Sequence, residues 1–193
     1  TGYLGGLVRQ QAEGSGTGMR IVCVDNPDYG RTGSMYSLSQ LRGMLDDDIV
    51  LIESDLLFEA RALNLLLGAP QSNAVLTAGL LNNGDDVYVC TNGNAQIICL
   101  GKTLPDIYGP KVTGCLVGIS KFSAGFLQHL FATAEQDYSR GRLDYHYEEC
   151  VLRASLGHTP VYAVHAEGLV WTEIDTMQDL RNAAQAVYPR LQP

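Results

Sequence analysis

The sequence is poor in positive charge, and it lacks the features that would direct it to nucleic acid or to a membrane. Its 13 Lys and Arg residues face 21 Asp and Glu residues, which gives a formal net charge of -8. A surface that binds a nucleic-acid backbone needs clustered Lys and Arg, and no such cluster is present. No apolar stretch approaches the length of a membrane span, and no signal peptide opens the chain. We therefore expect a soluble, cytoplasmic protein with neither nucleic acid nor membrane as a partner.

Several common catalytic and metal motifs are also missing. The four histidines show no metal-ligand spacing with each other or with cysteine, so a zinc site is not expected. No Gly-x-Ser-x-Gly elbow is present, which leaves nucleophilic hydrolysis without support. The five cysteines form no Cys-x-x-Cys pair, and this favours reduced, buried thiols in the cytoplasm. The glycine-rich stretch 14–18 precedes a predicted strand at Arg20–Val24 instead of following one, so we interpret it as a flexible connector, not a phosphate loop.

The most informative stretch is an apolar run, Ile49–Ile52, that ends in acid. Four consecutive aliphatic residues without polar alternation predict a strand covered on both faces, as in a parallel sheet. Asp55 then lies just past the carboxyl end of that strand, where ligands bind in open α/β sheets. Asp55 could instead cap a helix predicted over 56–67, because Asp is a favoured N-cap residue.

A second acidic stretch, with Glu173 and Asp175, favours the ligand-binding interpretation of Asp55. It also follows a short predicted strand, and it precedes a helix predicted from Asp175 to Val187. Two hard carboxylates that meet at one edge of a sheet suit Mg²⁺, which leaves its other positions to water and substrate phosphate. The sequence therefore predicts that Asp55 and Asp175 share a magnesium ion.

The remaining periodicity predicts an α/β fold in which residues 1–193 form a single domain. The length is enough for one sizeable core. We expect a mostly parallel, Rossmann-like sheet with helices on both faces and a small antiparallel hairpin at Asn92–Asn94. The other predicted helices cover Leu4–Ala12, a segment from about Ser34, 122–135 and 143–156, and the other predicted strands cover 74–81, 87–91, 96–100, 112–119 and 161–165.

Taken together and in order, several motifs resemble the nucleotidyltransferase family. The stretch 53–59 resembles the strand-end acidic motif of that family, and 171–176 with Asp179 and Leu180 resembles its second metal motif. Four further stretches are similar to the branch that contains phosphocholine and 2-aminoethylphosphonate cytidylyltransferases: 26–38, 84–89, 118–123 and 147–149. The family begins with a strand and a Gly-rich loop that grips the nucleotide, whereas this sequence opens at Thr1-Gly2-Tyr3. The resemblance therefore implies that an N-terminal piece is absent.

The resemblance implies a reaction in which a phosphate or phosphonate oxygen attacks the α-phosphorus of CTP and releases pyrophosphate. Asp55 and Asp175 would hold Mg²⁺, and Lys121 would be the catalytic cation, although Lys121 could also be an ordinary exposed lysine at a helix start. Because the nucleophile is already anionic, catalysis would consist of positioning and charge neutralisation. Asn26 and Ser34 lie in a segment that follows a predicted strand and feeds a helix, so they are candidates to line the site.

The second substrate is expected to be a small cationic phosphate or phosphonate. Trp171 and Tyr147 offer aromatic faces, and Glu148 and Glu173 offer carboxylates, a combination that attracts an ammonium group. Acidic residues at 144 and 149 add to this charge. A carboxylate-dominated pocket favours 2-aminoethylphosphonate and an aromatic-dominated one favours phosphocholine. The alternatives are a sugar-1-phosphate nucleotidyltransferase and a truncated, non-catalytic member that only binds a ligand or partner. The sequence does not indicate an oligomeric state.

Overall fold

A mixed β-sheet forms the framework of the computed structural model, which describes residues 1–16, 18–81, 84–103, 112–157 and 159–191. Thr17, within the predicted connector, lies outside the described residues. The described strands are β1 (Ile49–Ile52), β2 (Leu56–Phe58), β3 (Ala74–Ala78), β4 (Tyr88–Thr91), β5 (Ile97–Gly101), β6 (Gly114–Phe122), β7 (Tyr162–His165) and β8 (Trp171–Glu173). The helices are α1 (Gly5–Gly14), α2 (Ser34–Ser39), α3 (Arg61–Gly68), α4 (Ala124–Tyr138), α5 (Tyr147–Gly157) and α6 (Met177–Asn182), with a π-helical turn at Ala183–Val187.

Strand β6 is the centre of the main sheet, whose order is β5-β4-β6-β3-β7 with β1 also paired to β6. Strand β3 pairs with one edge of β6. Two strands share the other edge: β4 pairs with Gly114 and Cys115, and β1 pairs with Ile119–Phe122. Strands β2 and β8 form a separate antiparallel ribbon.

The α/β fold class is confirmed, but the sheet is less parallel than the sequence suggests. Among the described strand pairs, β3 with β7 is the parallel one, and β6 runs antiparallel to β1, β3 and β4. Strands β1 and β3 do point in the same direction, yet β6 separates them. The predicted hairpin between β4 and β5 is confirmed.

Two hydrophobic clusters cover the two faces of the sheet, as predicted. One cluster packs Val75 and Val89 of the sheet against residues of α4 and α5 such as Leu130 and Val151. The other packs Leu76 and Val117 against α3, and it contains Trp171. Alternate residues of β3 thus enter opposite clusters, as the period of two in a strand requires.

Three of the predicted elements are wrong in ways that have a physical explanation. Residues 20–24 form no strand, because no described strand lies alongside them. The predicted helix 56–67 is instead β2 followed by α3, since Leu56–Phe58 pairs with β8. Strand β1 is not covered on both faces: Val50 is 38% exposed and Ile52 is 45% exposed.

The remaining bounds differ by a few residues. Phe122 ends β6, so α4 begins at Ala124, and α5 begins at Tyr147 instead of at 143. The last helix begins at Met177, where Thr176 and Asp179 form a capping box. The five cysteines carry free thiols, and all but Cys23 are fully buried. Within the described part of the chain, no helix is both long and apolar enough to cross a membrane. That the chain forms one domain stays a prediction.

Candidate active site

A cleft of about 750 Å³ lies where β1 ends, and it gathers both acidic stretches of the sequence. The β2–β8 ribbon is the element that joins them, because Leu56 lies opposite Glu173 in its register. Just past the ribbon, the Ile174 amide donates a hydrogen bond of 2.9 Å to the Asp55 carbonyl oxygen. The side chains of Asp55, Glu173 and Asp175 therefore line the same cleft, as the sequence predicts.

Three carboxylates in this cleft form a compact cluster. Each of Asp85, Glu173 and Asp175 has a carboxylate oxygen within 4.8 Å of an oxygen of the other two. Burial and the surrounding negative charges, including Glu53, Asp175 and Asp55, raise the pKa of Glu173 to about 7. The pKa of Asp175 is also raised, first by burial and then by Asp55 and Asp85. Mutual repulsion of this kind is relieved when a cation binds, and hard carboxylate oxygens are ligands that Mg²⁺ accepts.

Asp85 was not predicted as a site residue. Its stretch, 84–89, contributed to the family resemblance, but an acid in a Gly-Asp-Asp turn carries no signal that distinguishes a ligand from a solvated turn. Only the placement of that turn against Glu173 and Asp175 shows that it belongs to the cluster.

Lys102 is the cationic side chain of this cleft that sequence analysis missed. It lies just after β5, about half exposed, and its Nζ donates a hydrogen bond of 2.5 Å to Asp85 Oδ1. That hydrogen bond raises the pKa of Lys102 and keeps the side chain charged. Among the described residues that line the cleft, Lys102 is the one Lys or Arg.

Lys121, the predicted catalytic cation, does not reach the cleft. Its Nζ donates a hydrogen bond of 2.6 Å to the Ala69 carbonyl oxygen, just past α3. The reason is strand alternation: Ser120 lies beside Tyr147 at the cleft side of β6, so the next side chain points to the opposite face. The structure thus places Lys121 outside the cleft and Lys102 at it.

The start of α5 also lines the cleft. Tyr147 Oη donates a hydrogen bond of 2.6 Å to Glu53 Oε1, and the Tyr147 amide donates one of 2.9 Å to Ser34 Oγ. Burial raises the pKa of Glu53, although the Tyr147 hydroxyl opposes that rise. These contacts fix α2, α5 and the end of β1 relative to each other, and Ser34 lines the cleft as predicted.

Glu148 is the most unusual group in this wall. Its side chain lines the cleft, the residue is only 8% exposed, and its Oε2 has no hydrogen-bond partner among the described residues. Burial raises the pKa of its carboxyl group. A buried carboxylate oxygen without a partner carries a desolvation cost that a bound donor would remove.

Two further predicted site residues lie away from the cleft. Asn26 is buried, and its Nδ2 donates to Thr32 Oγ1 and Ser37 Oγ, both at 2.9 Å, so it holds the loop that leads into α2. Trp171 is 6% exposed and packs in the hydrophobic cluster around α3, with Leu66. Trp171 lies opposite Phe58 in the β2–β8 register, and Phe58 packs against the same cluster.

The arrangement of the chain is that of the nucleotidyltransferase fold. The structure matches the inositol-1-phosphate CTP transferase of T. maritima with a TM-score of 0.72 and 14% identity, over 95% of this chain and 74% of that one. It matches the CTP:phosphocholine cytidylyltransferase of Streptococcus pneumoniae with a TM-score of 0.67 and 17% identity, over 91% of this chain and 72% of that one. The predicted resemblance is thus confirmed at the level of the fold.

A sequence relative gives more specific information over a shorter stretch. The chain is 40% identical over 74 residues to the CMP-5'-(3-aminopropyl)phosphonate synthase of Streptomyces rubellomurinus. The match covers 38% of this chain and 12% of the length of that protein. No protein-family model matches the chain.

Proposed function

We propose that this chain carries the site of a Mg²⁺-dependent cytidylyltransferase. The enzyme would transfer CMP from CTP to a small amino-phosphonate or amino-alcohol phosphate and release pyrophosphate. The observation that carries the proposal is that the Asp85–Glu173–Asp175 cluster and the buried Glu148 carboxylate line the same cleft. The first suits a metal beside phosphate groups, and the second suits an ammonium group. The names of the similar proteins, two of which act with CTP and one of which makes a CMP-aminophosphonate, support the same conclusion.

Asp85, Glu173 and Asp175 are the residues that would hold the metal, with Asp55 beside them. These four carboxylates are more than the one or two that a Mg²⁺ ion usually coordinates. One or two would therefore bind the ion directly, and the others would accept hydrogen bonds from its water ligands. A bound Mg²⁺ would neutralise charge on the triphosphate and on the pyrophosphate that leaves.

The protein's own groups would act mainly by positioning. An oxygen of the acceptor phosphonate forms a bond to the α-phosphorus of CTP, and the bond from that phosphorus to the bridging oxygen of pyrophosphate breaks. No base is required, because the attacking oxygen is already anionic. Lys102, at the same cleft and close to Asp85, would neutralise charge on the phosphate groups as they approach each other.

The acceptor's ammonium group would lie between Glu148 and the Glu53–Tyr147 pair. Glu148 Oε2 offers an unused acceptor, and a primary ammonium donates hydrogen bonds that a trimethylammonium group cannot make. Tyr147 lines the cleft, but Trp171 does not, which leaves the wall dominated by carboxylates. This composition favours 2-aminoethylphosphonate or a close homologue over phosphocholine.

The test is pyrophosphate release from CTP and Mg²⁺, with 2-aminoethylphosphonate, phosphocholine, inositol 1-phosphate and glucose 1-phosphate supplied in turn. The polypeptide tested should include whatever residues its gene encodes on either side. We expect the primary amine to be used best, and we expect Glu148→Gln to raise its KM at least about tenfold, the loss of one charged hydrogen bond. Glu135→Gln, an exposed acid on α4 that pairs with Arg42, is the matched control and should leave KM unchanged.

Two outcomes would contradict the proposal. If inositol or glucose 1-phosphate is used and neither amine is, the cleft takes a polyol, in line with the T. maritima neighbour. If no acceptor gives pyrophosphate although CTP binds, the chain is a binding protein and not a transferase.

A further inference from the structure

The loop that leads into α2 and the segment that leads into α5 are joined backbone to backbone. The Gly33 amide donates a hydrogen bond of 2.9 Å to the Leu143 carbonyl oxygen. Two residues further along each segment, the Met35 amide donates one of 3.4 Å to the Tyr145 carbonyl oxygen. These bonds connect two parts of the chain that are more than 100 residues apart in sequence.

A third hydrogen bond extends this connection to the first residue of α5. The Tyr147 amide donates to Ser34 Oγ at 2.9 Å. The first amides of a helix have no acceptor within that helix, so the Ser34 hydroxyl supplies one from another element. We call residues 33–35 and 143–147, with their three hydrogen bonds, the clasp. The clasp therefore sets where α5 begins.

Gly33 is the position where the clasp has no spare room. Its backbone is extended, with φ -87° and ψ -179°, a conformation that any residue adopts. A Cβ there, however, would lie 2.5 Å from the Tyr145 amide nitrogen and closer still to the Tyr145 carbonyl oxygen. A methyl group at Gly33 would have to move the two segments apart by about 1 Å or more to reach an ordinary contact distance. Close approach of two backbones, and not an unusual dihedral angle, is thus the reason for glycine here.

Each half of the clasp is also held from behind. On the α2 side, the buried Asn26 side chain donates to hydroxyl groups that lie before and after Gly33 in the sequence. On the α5 side, the Tyr145 ring is buried, and the guanidinium groups of Arg142 and Arg153 lie 5.1 and 5.4 Å from its centroid. Neither half can retreat without losing these contacts, so the clasp has a defined geometry.

The residue that follows the clasp is Glu148. Its carboxylate lines the cleft, and Oε2 is buried without a hydrogen-bond partner among the described residues. A hydrogen bond requires donor and acceptor within a few tenths of an ångström of 2.9 Å, so a displacement of about 1 Å at the start of α5 would remove it.

We propose that Gly33 and Ser34 are positioning residues of the acceptor site, because the clasp that they form places the Glu148 carboxylate against the acceptor's ammonium group. This inference rests on the function proposed above, which puts the ammonium group at Glu148. It goes further by assigning the selectivity for the amine to a contact between α2 and α5.

The selectivity for the amine tests this role. With CTP and Mg²⁺, kcat/KM for 2-aminoethylphosphonate is divided by kcat/KM for ethylphosphonate, which lacks the amine. Gly33→Ala should lower this ratio at least about tenfold, because a displacement near 1 Å is enough to cost a positioned contact such a factor. A loss of folded protein lowers both values equally and leaves the ratio unchanged.

Ser34 provides a second test that leaves the backbone contact of Gly33 untouched. Ser34→Ala removes the acceptor of the Tyr147 amide and should lower the ratio in the same direction. Ser34→Thr keeps a hydroxyl group and should restore the ratio. This pair tests the clasp even if Gly33→Ala does not fold.

A double substitution and a matched control complete the set. Gly33→Ala combined with Glu148→Gln should lower the ratio no further than Glu148→Gln alone, since both changes act on the same contact. Gly30→Ala is the control for Gly33→Ala. It lies in the same loop, and a Cβ there has no atom of the described residues within 4 Å, so the ratio should stay at the parent value.

Amide hydrogen exchange of the substrate-free protein tests the clasp without reference to activity. The Tyr147 amide should exchange at least about tenfold faster in Ser34→Ala and in Gly33→Ala than in Gly30→Ala, because its acceptor is removed or displaced. The Leu127 amide, which donates to the Ser123 carbonyl oxygen in α4, should be equally protected in all three variants and serves as the internal reference.

The outcomes separate this inference from the proposed function. If the parent protein prefers the amine and Gly33→Ala and Ser34→Ala keep that preference, the clasp does not position Glu148, and the proposed function stands. An equal loss with both acceptors, or an unchanged Tyr147 exchange rate in both variants, overturns the inference in the same way. If the parent protein shows no preference for the amine, the role proposed for Glu148 fails and the positioning role fails with it, even where exchange confirms the clasp.

Discussion

Replacing Glu173 by Gln should make the chain more stable at high pH and leave its stability unchanged at low pH. Burial and four neighbouring acids raise the pKa of Glu173 from its ordinary value of 4.5 to about 7. Because the folded pKa is the higher one, the folded state holds the proton more tightly than the unfolded state does. The contribution of Glu173 to the free energy of unfolding is therefore fully present below pH 4.5. It declines as the pH rises and is lost above pH 7.

The size of the effect follows from the two pKa values. A difference of about 2.5 corresponds to an upper bound of about 3.4 kcal/mol. Glu173 is half-buried, and solvent screens its interactions, so we expect about 1.5 kcal/mol. In a protein of this length that gain would raise the melting temperature by about 3 to 6 °C. Glutamine keeps the shape of the side chain and removes only the charge.

Urea unfolding of the parent protein and of Glu173→Gln, at pH 4.5 and at pH 8.5 with a chelator present, measures the difference in their free energies of unfolding. Glu13→Gln, an exposed acid in α1, is the control and should show no gain at either pH. Adding Mg²⁺ at pH 8.5 should stabilise the parent protein more than Glu173→Gln, because the metal supplies the missing positive charge. An equal gain at both pH values, or a Glu173→Gln protein that is less stable at pH 8.5, would show that the acids do not repel each other as described.

Other predictions concern the same cleft. Removing the carboxylate of Asp55 or of Asp175 should abolish Mg²⁺-dependent pyrophosphate release without lowering the melting temperature, and near-normal activity of Asp55→Ala would exclude its metal role. The 193-residue chain should bind CTP weakly by calorimetry, because Lys102 is the one Lys or Arg among the described residues that line the cleft, whereas a triphosphate carries several negative charges; tight binding would show that other groups hold the phosphates. Tyr147→Phe removes the hydrogen bond of 2.6 Å to Glu53 and should cost about 2 kcal/mol in urea unfolding, since a charged acceptor loses its donor. Thr176→Ala removes the capping box of α6 and should cost about 1 kcal/mol without a change in CTP binding.

The sequence by itself determined the class of fold and the place of the acids along the chain. The aliphatic run 49–52, the turn at 92–94 and the alternation of helical and strand patterns are local signals, and each one led to a described element. The acids at 55, 173 and 175 were predicted to meet because strand ends share the edge of a parallel sheet; they do line one cleft, but the β2–β8 ribbon is what joins them.

The tertiary structure decided which neighbours complete the site. Asp85 joins the cluster and Lys102 joins the cleft through loops whose local sequence has no distinguishing pattern. Lys121 points away because of its position in the alternation of β6, and a one-residue difference in register reverses the face of a side chain. Residues 56–58 became a strand because β8, more than 100 residues later, supplies their hydrogen-bond partners. Pairing between distant segments sets these features, and the local propensity of a segment does not depend on which distant segment it will pair with.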